Sequence, residues 1–342
     1  HGRTLRPDCA GHRITAARPA HPILAGALNR LALISNPKSH RNLRGPAVLR
    51  DQPESDFFVG FAEPGTQAEL LRALIKFKQQ GADIIAINGG DGTVRDVLTA
   101  LWQVDPDWRP ALSIIPGGKT NMIAYDVGSA RHGPAGLRQI LDAAGKGVLG
   151  RNKVSRPVLD IIRPNDPGPP ICGMLFGTGA FSRGTALSRA QANALGLYQG
   201  LAVALTIASM SVRTLRGTDG ENPVTAVTAD GASMQDGPQF LMLATSSQRI
   251  IMGLKPFWGP RGGAIRYTVI DGPPRRLLSA LLPVLRGKPK PWMHAAGYRS
   301  GSAGHLTVRL TSSFTVDGEL FDPGHSGLIE LSARRLYDFV HP

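Results

Sequence analysis

The sequence predicts an α/β N-terminal domain with a parallel sheet, followed by a β-rich, sandwich-like second domain. Three observations lead there. In the first half, short apolar runs alternate with helical periodicities, as in a parallel sheet covered by helices. In the second half, short β-like runs follow one another, separated by Gly, Pro and Asp. At 342 residues the chain also exceeds one ordinary core, since single cores stop growing at about 250–300 residues.

The elements of the first half are read in order. Leu31–Ser35 and Phe57–Ala62 are apolar runs of strand length. Thr66 opens a helix, and Glu69 three residues later completes a capping-box pattern. Leu70, Leu71, Leu74 and Phe77 carry its apolar face, and Gly81 stands where a C-terminal cap belongs. Asp83–Ile87 is a third strand, and Val94, Val97, Leu98 and Leu101 recur at helical spacing. Leu112–Ile115 is a fourth strand, with a helix near Asn121.

In the second half the strands are Pro157–Arg163, Ile171–Phe176, Val224–Ala229, Phe240–Thr245, Ile265–Ile270, Leu306–Leu310 and Leu328–Leu331. Helices are expected near Ala194–Met210 and at Arg275–Arg286. The glycines at 145, 147 and 150 mark the junction. The expected division is a tail at 1–27, an α/β domain at 28–150 rejoined by 332–342, and a β-rich domain at 151–331.

The formal net charge of +14 calls for an anionic partner: nucleic acid, nucleotide phosphates or an acidic membrane surface. Between Gly237 and Val316 there are eleven Lys or Arg residues and one acid, Asp271, so the charge concentrates in the β-rich half. Two cysteines, Cys9 and Cys172, make no disulfide framework and lack metal-ligand spacing. A reducing cytoplasm is the default expectation. Residues 1–30 show no signal-peptide order. Ala190–Val212 carries no charge, but its Gln, Asn, Thr and Ser residues suit a buried helix better than a membrane span.

Asn88-Gly89-Gly90-Asp91-Gly92-Thr93 follows a strand and opens a helix. Open α/β sheets place ligands at the carboxyl ends of their strands. Glycines there admit a phosphate close to the backbone, and a helix N-terminus supplies N–H groups and partial positive charge. Asp91 can orient a ligand hydroxyl, position a metal-bound water or fix the turn. A purely structural reading makes Thr93 the helix cap and Asp96 its reciprocal partner. Gly118-Lys119-Thr120 imitates the end of a Walker A loop, but Ser113 stands where that motif needs its first glycine.

Gly89-Gly90-Asp91-Gly92-Thr93 resembles the nucleotide motif of diacylglycerol, sphingosine, ceramide and NAD kinases and of phosphofructokinases. Three further segments single out the diacylglycerol kinase superfamily of lipid kinases. Asn36-Pro37-Lys38-Ser39 is similar to its Asn-Pro-x-Ser segment. Pro116-Gly117-Gly118-Lys119-Thr120-Asn121-Met122-Ile123-Ala124 is similar to its Pro-x-Gly-Thr-x-Asn-Asp-x-Ala loop, and Asp317-Gly318-Glu319 to its late Asp-Gly-Glu motif. The run from Leu195-Gly196 through Tyr198 resembles a helix of the same kinases. Departures are Lys119 for Thr, Met122 for Asp, His40 for Gly, and Asp96 for Glu or Asn. Lys119 suggests an ammonium aimed at phosphates in place of the acid missing at 122.

The resemblance implies ATP and Mg²⁺ as cofactors. Asn36, Pro37, Lys38, Ser39, Gly89, Gly90, Asp91, Gly92, Thr93, Gly117, Gly118, Lys119, Thr120 and Asn121 would form the glycine-loop nucleotide site. Asp317 would be general base for a lipid hydroxyl, and Glu319 would join Asp160 in a magnesium network. The residues alone also permit a plain Asp-Gly hairpin at 317–318 with solvated acids. The expected partner is a lipid substrate, diacylglycerol or ceramide-type, in an anionic membrane surface, with the protein cytoplasmic and peripheral at the inner membrane face. A homodimer is allowed, and no nucleic acid is expected. Competing readings are an NAD kinase-like small-molecule kinase and a non-catalytic basic protein that binds nucleic acid or lipid.

Overall fold

The structure, a computed structural model, describes residues 30–42, 58–185, 224–250 and 253–342. The tail at 1–27, Cys9 and the uncharged stretch Ala190–Val212 lie outside the described residues. Strands β1 (Leu31–Ser35), β2 (Phe58–Ala62), β3 (Ile84–Gly89) and β4 (Ala111–Pro116) run parallel in the order β4-β3-β1-β2. Helix α1 (Gln67–Gln79) follows β2, α2 (Asp91–Val104) follows β3, and α3 (Met122–Val127) and α4 (Gly133–Gly145) follow β4. Along β3 alternate residues face opposite layers. Ile85 and Ile87 pack with Leu74, Phe77, Val94 and Leu98 of α1 and α2. Ile84 and Ala86 pack with Leu137, Ile140 and Ala144 of α4. Strands covered on both faces read as continuous apolar runs, which made them legible in the sequence.

Helix α1 shows how local chemistry sets its limits. Thr66 Oγ1 accepts from the Glu69 amide at 3.3 Å, while the Glu69 carboxylate takes the amide of Gly65 at 2.7 Å rather than that of Thr66. At the other end the Gly81 amide donates to Lys78 and the Ala82 amide to Phe77, both at 2.9 Å. That pairing is a Schellman motif, and Gly81 adopts the left-handed φ of +71° that it requires. The sequence reading missed α4, whose periodicity is interrupted by Pro134, Ala135 and Gly136.

The second half is a run of antiparallel pairings. It comprises β5 (Lys153–Ile162), β6 (Ile171–Gly173), β7 (Leu175–Gly179), β8 (Val224–Ala229), β9 (Ala232–Thr245), β10 (Ile265–Asp271), β11 (Tyr298–Ala303), β12 (His305–Leu310), β13 (Phe314–Val316), β14 (Glu319–Phe321) and β15 (Leu328–Val340). Helices α5 (Leu277–Arg286) and α6 (Pro291–Ala295) lie between β10 and β11. Leu277, Ala280 and Val284 of α5 pack on Phe240, Leu241 and Ile270. The expected strand at Ile171–Phe176 is two, broken at Met174.

β15 joins the halves. Its first residues pair antiparallel with β12, its length pairs with β5, and Phe339 pairs parallel with Leu112 of β4. The strands therefore form one hydrogen-bonded, 15-stranded sheet rather than two separate ones. Among the described residues no helix is long and apolar enough to cross a membrane.

Candidate functional site

Three loops meet at the carboxyl ends of β1, β3 and β4. The Asn36 amide donates to the Asn88 carbonyl at 2.9 Å, the Arg41 amide to Gly117 at 2.9 Å, and the Gly117 amide to Gly89 at 2.8 Å. The two glycine loops touch backbone to backbone. A Cβ on Gly90 would stand 2.9 Å from Gly118 Cα, and one on Gly118 would stand 2.7 Å from Gly90 Cα. Both glycines are thus needed for loop-to-loop packing, whatever the loops bind.

Side chains fix this geometry from below. Asn121, in the left-handed region at φ 51°, accepts from the Gly118 amide at 2.8 Å and donates to the Gly118 carbonyl at 2.9 Å. Asn36 Nδ2 donates to Thr93 Oγ1 at 2.9 Å. Ser39 is buried, while Pro37, Lys38, Lys119 and Thr120 are exposed at the rim. Asn42, which the sequence reading did not single out, donates to the Asn36 carbonyl at 2.8 Å. Arg41 donates to His132 Nε2, and the opposite ring nitrogen donates to the Pro116 carbonyl at 2.8 Å.

Two capping expectations are corrected. Helix α2 begins at Asp91, two residues before Thr93, and its N-cap Gly90 makes no side-chain bond. β3 pairs with β4 as far as Gly89–Pro116, which leaves Gly90 alone to turn into the helix. Asp96 is not the partner of Thr93; its Oδ1 accepts from Arg95 Nη2 at 2.7 Å. Asp91 caps a different helix. Its carboxylate accepts from the amides of Met122 at 3.0 Å and Ile123 at 2.9 Å, at the start of α3.

The late motif is brought to this place. Asp317 and Gly318 both have positive φ, +46° and +86°, so β13 and β14 are joined by a two-residue turn of the primed type. The acids are not both solvated, as a plain hairpin would leave them. Asp317 is buried and accepts from the amides of Met174 at 3.1 Å and Leu175 at 2.9 Å. Gly173 leaves room for it, since a Cβ there would meet Asp317 Oδ2 at 2.6 Å. Burial, reinforced by the negative charge of Asp91, pushes the Asp317 carboxyl up to about 7, against the opposing pull of Arg95 and the two amides. Burial also raises Asp91 above its ordinary value, opposed by the α3 amides. Glu319 Oε1 lies 3.9 Å from where a Gly92 Cβ would be, beside the N-terminus of α2.

Arg95 was absent from the expected site. It is buried in the first turns of α2, donates to the Val316 carbonyl at 3.4 Å and covers the Phe321 ring at 5.2 Å. An arginine so close behind a glycine loop, in a helix otherwise apolar at 94, 97 and 98, was the available signal.

Asp160, expected in a magnesium network, sits in a buried ion pair. Arg335 Nε donates to its Oδ2 at 3.0 Å and Arg335 Nη2 to its Oδ1, so both oxygens are engaged in a buried ion pair. Cys172 joins the same cluster, where burial pushes its thiol up to about 12. Among the described residues no group of three or more His, Cys, Asp or Glu side chains gathers to hold a metal. Chemically, the site combines an amide-rich helix terminus, suited to an anion, with one buried carboxyl that titrates near neutrality.

These features belong to a defined class. Residues 30–148 match the family model of the diacylglycerol kinase catalytic domain, and that stretch holds the Asn36–Ser39, Gly89–Thr93 and Pro116–Ala124 segments whose resemblance pointed there. Among its relatives, the "Probable lipid kinase YegS" of Escherichia coli O127:H6 is 28% identical over 149 residues, 44% of this chain and 45% of that one. Its namesake in Salmonella heidelberg is 32% identical over 115 residues, 34% of each. The matched stretch thus spans less than half the length of these relatives. A solved diacylglycerol kinase from Bacillus anthracis shares the fold over 92% of this chain and 97% of its own, with a TM-score of 0.53 at 15% identity.

Proposed function

We propose that this protein transfers the terminal phosphoryl group of ATP to a primary hydroxyl of a membrane lipid of diacylglycerol or ceramide type. The observation that carries the reading is the placement of the Asp317 carboxyl, buried and titrating near 7, against the helix that the glycine loop opens. Phosphoryl transfer is mostly positioning and charge neutralisation, with a carboxylate beside the nucleophile. Asp317 would take the hydroxyl proton as the lipid oxygen bonds to the γ-phosphorus and the bond to ADP breaks. The Gly89–Thr93 and Gly117–Asn121 loops and the α2 terminus would hold the phosphates. Lys119 would add an ammonium from the rim. Asn36 and Asn121 serve chiefly to hold the loops together.

Mg²⁺ would neutralise phosphate oxygens. Kinase sites bind it through one or two carboxylates plus the phosphates rather than in an all-protein cage. Glu319, whose Oε1 lies near Gly92, would supply such a carboxylate. The docking face would be α5. Leu278 and Leu282 are 62% and 53% exposed there, between the exposed Arg275, Arg276 and Arg286.

The test is incubation with labelled ATP, Mg²⁺ and a panel of diacylglycerol, ceramide, sphingoid base and NAD. A labelled phospholipid is expected. Label on NAD alone, or on none of the panel, would overturn the reading.

A further inference from the structure

A pocket of about 610 Å³ opens at the far edge of the β-rich half, within the range of small-molecule sites. Met234, Trp258, Tyr267, Met293 and Tyr298 supply its apolar walls. Their neighbouring polar atoms are engaged inside the protein. The Tyr298 hydroxyl donates to the Arg275 carbonyl at 2.8 Å, and Ser300 Oγ accepts from the Trp258 amide at 2.9 Å and donates to the Tyr267 carbonyl at 2.7 Å. Met293 and Tyr298 are fully buried beneath the floor, where the Met293 thioether accepts from the Lys290 amide at 3.1 Å; what remains open is an apolar surface of Met234, Trp258 and Tyr267.

The mouth has the opposite character. Lys290 and His294 line it, both exposed; Lys290 is the extended N-cap of α6 and His294 lies in its last turn. Among the described residues neither has a carboxylate partner. The guanidinium of the pocket, Arg299, is held by Asp271 at 2.6 and 2.9 Å. Asp271 is the only acid between Gly237 and Val316.

The pocket is distant from the glycine loops. The Asp317 amide donates to Leu175 of β7, and the sheet register then runs from Leu175 to Thr245, to Arg266 and to Ser302. Four strand spacings, about 19 Å, therefore separate Asp317 from the outer strand β11 that helps form the pocket.

We infer that this pocket is a second ligand site, for an anionic amphiphile: an acyl chain against the aromatic and methionine walls, with a phosphate or carboxylate head at Lys290 and His294. It goes beyond the kinase reading and requires neither ATP nor turnover.

Isothermal titration without nucleotide tests it, using dodecyl phosphate below its micelle concentration, dodecyl maltoside and inorganic phosphate. Dodecyl phosphate should bind saturably, at least tenfold tighter than the maltoside, and inorganic phosphate should give no heat. Lys290→Glu, at an exposed position, should weaken dodecyl phosphate at least tenfold without lowering the melting temperature. Met234→Trp, which fills the cavity, should abolish binding, and Asp317→Asn should leave it unchanged. Equal binding of the maltoside would remove the anionic head from the proposal. Equal binding of phosphate would reduce the pocket to a surface anion site. No binding of dodecyl phosphate, or unaltered binding by Lys290→Glu, would overturn it while leaving the kinase reading intact.

Discussion

At the scale of single residues, the proposed chemistry rests on Asp317. Its carboxyl is held near 7 by burial and by Asp91, so a base that must be ionised to act gives a rate that falls about tenfold per pH unit below about 7. Asp317→Asn should keep nucleotide and lipid affinity, lose about 10²- to 10⁴-fold in turnover, and show no such pH limb. The same shift has a thermodynamic sign. The folded-state value lies above that of the unfolded chain, so the stability this group contributes is complete below about pH 4 and is lost as pH rises through about 7. Thermal unfolding from pH 5 to 8 should therefore show a steeper loss of stability in the native protein than in Asp317→Asn. Equal slopes would mean that the carboxyl titrates at its ordinary value.

Among the elements, α3 is the one most tightly tied at both ends. Asp91 caps its start, and Asp126 near its end is fully buried. The Asp126 carboxylate accepts from Arg156 Nε at 3.0 Å, from the Gln248 amide at 3.1 Å and from the Arg249 amide at 2.8 Å. A six-residue helix has little intrinsic stability, so these bonds hold it in place. Asp126→Asn strands a buried guanidinium and should cost about 3–5 kcal/mol in denaturant unfolding. The glycine loops behave as a second unit. Gly118→Ala sets a Cβ 2.7 Å from Gly90 Cα, so it should separate the loops and weaken ATP binding at least tenfold by calorimetry; unchanged affinity would show that the contact can relax. The strands and the glycine loops were legible in the sequence because both depend on local pattern. Arg95 and Asp126 were missed because their partners Val316 and Arg156 lie far along the chain; Asn42 bonds only six residues back, to Asn36, but no motif marks it. The pairing of Asp160 was hidden for the same reason as those of Arg95 and Asp126: its partner Arg335 is in β15.

Across the whole molecule, charge and apolar exposure coincide. Three of the eleven cations between Gly237 and Val316, Arg275, Arg276 and Arg286, flank the exposed leucines of α5. Each cation near an anionic leaflet contributes about 1 kcal/mol. Neutralising Arg275, Arg276 and Arg286 together should therefore weaken binding to anionic vesicles by on the order of a hundredfold. Binding should also fall as salt shortens the Debye length to about 3 Å at 1 M. Sedimentation with neutral and anionic vesicles checks this; equal binding to both at low salt would leave Leu278 and Leu282 as the only anchor.

β15 has a kinetic meaning as well. Phe339 and Val340 complete the edge of the parallel sheet beside β4, yet the ribosome delivers them after the entire β-rich half. Until then β4 presents an open edge of unpaired backbone groups, the kind of edge that invites pairing with another chain. Contacts of such long sequence separation also close slowly. The first domain is thus made early and finished late, and a nascent chain held before residue 328 would carry an incomplete sheet with its glycine loops already built.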